Sequence, residues 1–127
     1  MRTGRIYHGC FSINEKGTTT KVVAMGGWNS GILSTAEILD VASMHWEDLP
    51  DLPFALYKNK GVESVIGPYL GFSVAGNSIA NRFENRIIGL RKNQNGNYFW
   101  QELFTQLTTD RHYHAAVNAP DSILPSC

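Results

Sequence analysis

The chain has 127 residues, 43% apolar and 17% charged, with six Phe, five Tyr and three Trp, which is enough for one modest globular domain and too apolar for disorder. Eleven Lys and Arg balance eleven Asp and Glu, so the composition supplies no electrostatic footprint for nucleic acid or an anionic membrane. No segment reaches the roughly 18 apolar residues of a transmembrane helix, and no apolar core follows Met1-Arg2-Thr3-Gly4-Arg5 to make a signal peptide.

In chain order, strands are expected near 6–12, 20–26, 35–40 and 45–49, then near 59–66, 69–75, 82–90 and 98–103, with a last one near 111–118. Val22-Val23-Ala24-Met25 is an apolar run closed by Gly26-Gly27, and Ser34 to Asp40 is a second short run that leads to Trp46. Pro50, Pro53 and Pro68 fall between the segments, where a missing amide hydrogen costs nothing. Leu33 to Met44 comes nearest to a helical period, but Thr35, Ile38 and Val41 favour strand.

Three anchors recur. Arg5-Ile6-Tyr7-His8 returns as Arg111-His112-Tyr113-His114 after 106 residues, Gly27 returns as Gly76 after 49, and Trp46-Glu47-Asp48-Leu49 returns as Trp100-Gln101-Glu102-Leu103 after 54. One period with a small insertion accounts for all three. Asn93-Gln94-Asn95-Gly96-Asn97, with its hairpin-forming Asn-Gly, is the place for that insertion.

The chain therefore resembles the kelch repeat. The first unit carries Arg5 and His8, Gly26-Gly27, Ser34-Thr35-Ala36-Glu37, and Leu39 seven residues before Trp46. The second departs from it: Ala75-Gly76 replaces the double glycine, Glu84 is kept, and Tyr57-Lys58-Asn59-Lys60 stands in for the Arg-x-x-His lead-in. The resemblance implies an all-β fold of two four-stranded antiparallel propeller blades plus the first strand of a third. Residues 1–127 then form one partial propeller domain, with repeats over 5–53 and 54–107 and a third starting over 108–120. Closed propellers take about four to eight blades, so a fragment, or one share of a larger assembly, is expected. Each Trp should cover a neighbouring blade, and Trp46→Ala should cost about 3–5 kcal/mol.

Catalytic signatures are thin. His112 and His114 share one strand face, and His8 and Cys10 sit at the matching place, but the simplest account is that these histidines recur because the fold recurs. Gly-x-Ser-x-Gly is absent and no glycine-rich loop precedes a helix. No catalytic residue, metal site or cofactor is expected. Cys10 and Cys127 frame neither a disulfide scaffold nor a zinc spacing, and Asn-x-Ser/Thr is missing, which leans toward an intracellular protein.

In kelch propellers the loops after each second strand and those leading into each first strand line one face and bind peptide or protein. Carried onto this chain, the resemblance nominates Trp28, Asn29, Ser30, Asn77 and Ser78, with the lead-in residues Tyr7, Asn59 and Tyr113. The expected role is a non-catalytic protein- or peptide-binding module of a scaffold or adaptor, with neither nucleic acid nor membrane as partner. The alternative is a piece of a propeller enzyme of the copper-radical oxidase or sugar-acid isomerase type.

Overall fold

A computed structural model describes residues 1–64, 67–78 and 83–111. Eight strands are described: β1 (Gly9–Glu15), β2 (Thr18–Met25), β3 (Ala36–Asp40), β4 (His45–Leu49), β5 (Lys60–Glu63), β6 (Gly71–Asn77), β7 (Phe83–Lys92) and β8 (Tyr98–Arg111). They form two antiparallel four-stranded sheets, β1-β2-β3-β4 and β5-β6-β7-β8, each in sequence order. The ninth strand expected near 111–118 falls, beyond Arg111, outside the described residues.

Local chemistry sets these meanders. Glu15 pairs with Thr18 across Lys16-Gly17, whose φ values of 51° and 78° make the tight turn that a two-residue hairpin needs. The first strand consequently starts three residues later than the pattern predicted and runs on to Glu15. In the third hairpins, Leu39 lies opposite Trp46 and Leu90 opposite Trp100. The extra residues of the second unit are taken up between that pair, around the Asn93–Asn97 turn, as the sequence indicated.

Register also fixes which residues correspond. Gly9 pairs with Met25 where Lys60 pairs with Val74, so His8 corresponds to Asn59, Tyr7 to Lys58, Ile6 to Tyr57 and Arg5 to Leu56. Ala24 lies opposite Glu37 and its counterpart Ser73 opposite Ile88. By pairing, the equivalent of Glu37 is thus Ile88 and not Glu84, which pairs with Gly76.

One face of the first sheet packs on the second. Phe11, Ile13, Val23, Met25, Ala36, Ile38, Leu49 and Leu52 form a core that Leu90, Tyr98 and Trp100 close from the second sheet. The Trp100 indole donates to the Pro50 carbonyl at 2.8 Å, and Ser12 and Asn14 both donate to the Glu63 carboxylate. Glycine permits the closest approach: a Cβ on Gly61 would lie 1.9 Å from the Cys10 carbonyl oxygen. Gly61→Ala is therefore expected to lower stability by about 1–3 kcal/mol, read as a shifted denaturant midpoint. Gly4→Ala, which meets nothing within 4 Å, is the control.

Candidate functional site

Where the two sheets meet at their rim, the loop after β2 and the lead-in to each first strand are tied together by backbone. Ile6 and Trp28 exchange hydrogen bonds of 3.1 and 2.8 Å, and Tyr57 and Asn77 exchange the equivalent pair at 2.9 and 2.8 Å. The Lys58 amide donates to the Tyr7 carbonyl at 2.7 Å, and the Gly27 amide to the Leu56 carbonyl at 2.7 Å, which joins one unit to the next. Tyr7 and Lys58 both adopt left-handed backbone, with φ of 54° and 58°. Such a conformation is costly for side-chain-bearing residues, and here it recurs with the repeat.

An aromatic cluster results. The Trp28 and Tyr57 rings lie 5.8 Å apart at 56°, and the Lys58 ammonium stands 5.0 Å from the Tyr57 ring and 5.8 Å from the Tyr7 ring. Trp28 remains 41% exposed, and Ile6 and Tyr7 are exposed beside it. Gly4, Arg5, Ile6, Trp28, Asn29 and Ser30 line an open groove of about 450 Å³. The Asn29 amide donates to the Gly4 carbonyl at 2.8 Å, which fixes the wall, and Ser30 turns the loop at φ 56°.

The other nominated residues separate from this cluster. Asn59, only 1% exposed, is turned between the sheets, where its amide donates to the Ser73 hydroxyl at 3.0 Å. Asn77 is 4% exposed and supports Tyr57 through its backbone. The lead-in position belongs to Lys58, one residue earlier than Asn59, and Tyr57 and Lys58 are the rim residues that sequence reasoning passed over. Aligning Leu56 with Arg5 would have found them. Ser78 follows Asn77 and is partly buried, and Tyr113 lies outside the described residues.

Behind the groove sits a buried ion pair. Arg5 donates to Glu37 at 2.8 Å and to the Gly26 and Thr35 carbonyls at 2.8 Å each, within its own sheet. The backbone amides of Arg2, at 2.6 Å, and Thr3 cap the same carboxylate. Burial pushes the Glu37 carboxyl up, but the Arg2 amide, the Arg5 guanidinium and the Thr3 amide outweigh it and hold the group below its ordinary value of 4.5. Burial, then the charge of Arg5, holds His8 below 6.5 despite a backbone hydrogen bond with Arg5.

Elsewhere among the described residues, titratable side chains such as Lys21 and Asp40 are held in salt bridges. A cleft of about 180 Å³ holds Lys21, Asp40, His45 and Glu47. The Lys21 hydrogen bond, and after it the Ser43 amide, lower Asp40 to about 2, and Asp40 in turn raises Lys21, so both stay charged at neutral pH. Among the described residues no three His, Cys, Asp or Glu side chains are grouped to hold a metal ion, and no helix is long and apolar enough to cross a membrane.

Two stacked four-stranded antiparallel meanders, with a glycine-relieved junction and a tryptophan carried across it, are the blades of a β-propeller. Residues 18–53, from β2 through the segment after β4, match the family model of the Kelch motif. Kelch repeats commonly serve protein binding and are generally non-catalytic. No curated protein matches the chain.

Proposed function

We propose that the chain is a non-catalytic peptide- or protein-binding module, part of a scaffold or substrate adaptor, whose ligand sits on the rim formed by Tyr7, Trp28, Asn29 and Ser30 with Tyr57 and Lys58. The observation that carries the reading is the exposed aromatic cluster. Two tyrosines, a tryptophan and a lysine are fixed by paired backbone hydrogen bonds, giving contact area at low entropic cost. The same reading needs further blades, or self-association, to complete the wheel.

The test is selection of peptides from a displayed random library against the chain, followed by titration of the enriched peptides. Trp28→Ala and Tyr7→Ala are each expected to weaken binding by about ten- to a hundredfold, the size of a contact hot spot, with unchanged melting. Peptides whose affinity is indifferent to both substitutions would remove the rim from consideration.

A further inference from the structure

The lead-ins to β1 and β5 hold equivalent places in their blades, and the first of them carries a titratable ring. A Cβ on Gly27 would lie 2.8 Å from the Ile6 carbonyl oxygen and 3.0 Å from the His8 Cβ. A Cβ on Gly76 would lie 2.9 Å from the Tyr57 carbonyl oxygen and 3.0 Å from the Asn59 Cβ. His8 and Asn59 thus stand against the same glycine turn in successive units, but their hydrogen bonding differs. Asn59 donates to the Ser73 hydroxyl at 3.0 Å, whereas the register counterpart of Ser73 is Ala24, which has no hydroxyl to offer. The Nδ1 of His8 is buried with no hydrogen-bond partner among the described residues.

Among the described residues, the charged groups of the elements packed here are Arg5, Glu37 and Lys58. Arg5 lies on the same lead-in as His8, and its guanidinium is bonded to Glu37 on β3, whose carboxylate the Arg2 and Thr3 amides also cap. Lys58, on the second lead-in, donates its amide to the Tyr7 carbonyl and holds its ammonium 5.8 Å from the Tyr7 ring. The loop from Gly27 to Gly31 carries no charge. A neutral imidazole fits these surroundings, and burial and the charge of Arg5 both favour it. A protonated one adds positive charge beside Arg5 and turns the buried nitrogen into a donor without an acceptor. Water reaches that donor when the lead-in parts from the Gly27–Trp28 turn, at the expense of the paired Ile6–Trp28 hydrogen bonds.

We propose that His8 is a pH-sensitive catch on the rim: neutral, it lets the lead-in lie shut against Gly27 and Trp28; protonated, it opens this corner and loosens the hold on a bound peptide. The closed corner is complete above the ordinary histidine value of 6.5 and is lost as pH falls through the lower value that the folded ring holds. Of the two described blades only the first carries the device, because the asparagine at the matching place takes up no proton in this range. The opening moves Trp28 and its partner Ile6, which border the groove. Its effect on a ligand rests on the rim reading, and the opening itself does not. The result is a module that retains its partner at neutral pH and releases it in mildly acidic surroundings.

Amide hydrogen exchange of the chain, followed by NMR and corrected for the intrinsic pH dependence of exchange, tests this. Protection at the Ile6 and Trp28 amides is expected to fall about tenfold between about pH 7.5 and about pH 5, the size of one unit of histidine titration. The Tyr57 and Asn77 amides, the equivalent pair in the second blade, are expected to keep their protection and so give a reference within the same molecule. His8→Asn, which places in the first blade the residue that the second uses, is expected to abolish the fall at Ile6 and Trp28. The wild type carries its own reference pair, so the comparison stands even where that variant folds poorly. The range ends above the value at which Glu37 gains a proton, which keeps that carboxylate out of the reading. No ligand is used, so a rim that selects no peptide leaves this result intact. Unchanged protection at Ile6 and Trp28, an equal fall at Tyr57 and Asn77, or a fall that persists in folded His8→Asn would overturn the proposal.

Discussion

Replacing Glu37 by isoleucine alone, or Arg5 by leucine alone, is expected to lower the free energy of unfolding by about 3–5 kcal/mol, because either change strands the other charge in a dry site. Both side chains are almost wholly buried, and each is the other's ion-pair partner at 2.8 Å. The second blade supplies the control built into the molecule: at the same two register positions it carries Leu56 and Ile88, both 1% exposed. The double variant Arg5→Leu/Glu37→Ile is therefore expected to recover part of the loss, with a favourable coupling of about 2 kcal/mol in a double-mutant cycle. Recovery is incomplete, since the Gly26 and Thr35 carbonyls and the Arg2 and Thr3 amides lose partners in either case. Urea unfolding of the four proteins measures this, and equal losses that merely add would contradict the pairing.

The pH dependence follows from the same carboxylate. The folded-state pKa of Glu37 lies below its ordinary 4.5, so its contribution to stability is complete above about that value and disappears as pH falls through the folded pKa. The double variant lacks this group, and its unfolding curve is expected to be flatter with pH in the acid range than that of the wild type.

Trp100→Ala is expected to cost about 3 kcal/mol, and Trp46→Ala only about 1 kcal/mol in the isolated monomer. From sequence the two tryptophans look interchangeable, and the cost expected there for Trp46 is about 3–5 kcal/mol. The structure separates them: Trp100 crosses to the first blade's core and to the Pro50 carbonyl, while Trp46 borders an open hollow. Thermal melts in dilute solution, where association is minimal, compare them directly. Equal losses would show that the tryptophan acts within its own sheet and not across the junction.

The eight described strands, their order and the place of the second unit's insertion were legible because alternation, glycine pairs and Asn-Gly turns act locally. The rim was legible only in its first half. Trp28, Asn29 and Ser30 follow a double glycine that marks the loop, whereas the second lead-in offers no arginine to count from, and Asn59 was placed at the rim one residue too late. Glu84 was equated with Glu37 for a related reason: Gly76 and Glu84 pair beyond a register shift that follows Val74, and such a bulge displaces every residue past it. The exchange of an ion pair for an apolar pair is invisible until pairing shows that the positions correspond.

The cap on Glu37 has a practical corollary. Two backbone amides from the extreme amino end complete a carboxylate 34 and 35 residues away, so the opening residues behave as a latch on the first blade and not as a spare tail. Trimming Arg2 and Thr3 during protein production would leave that carboxylate short of donors, even though no strand is touched.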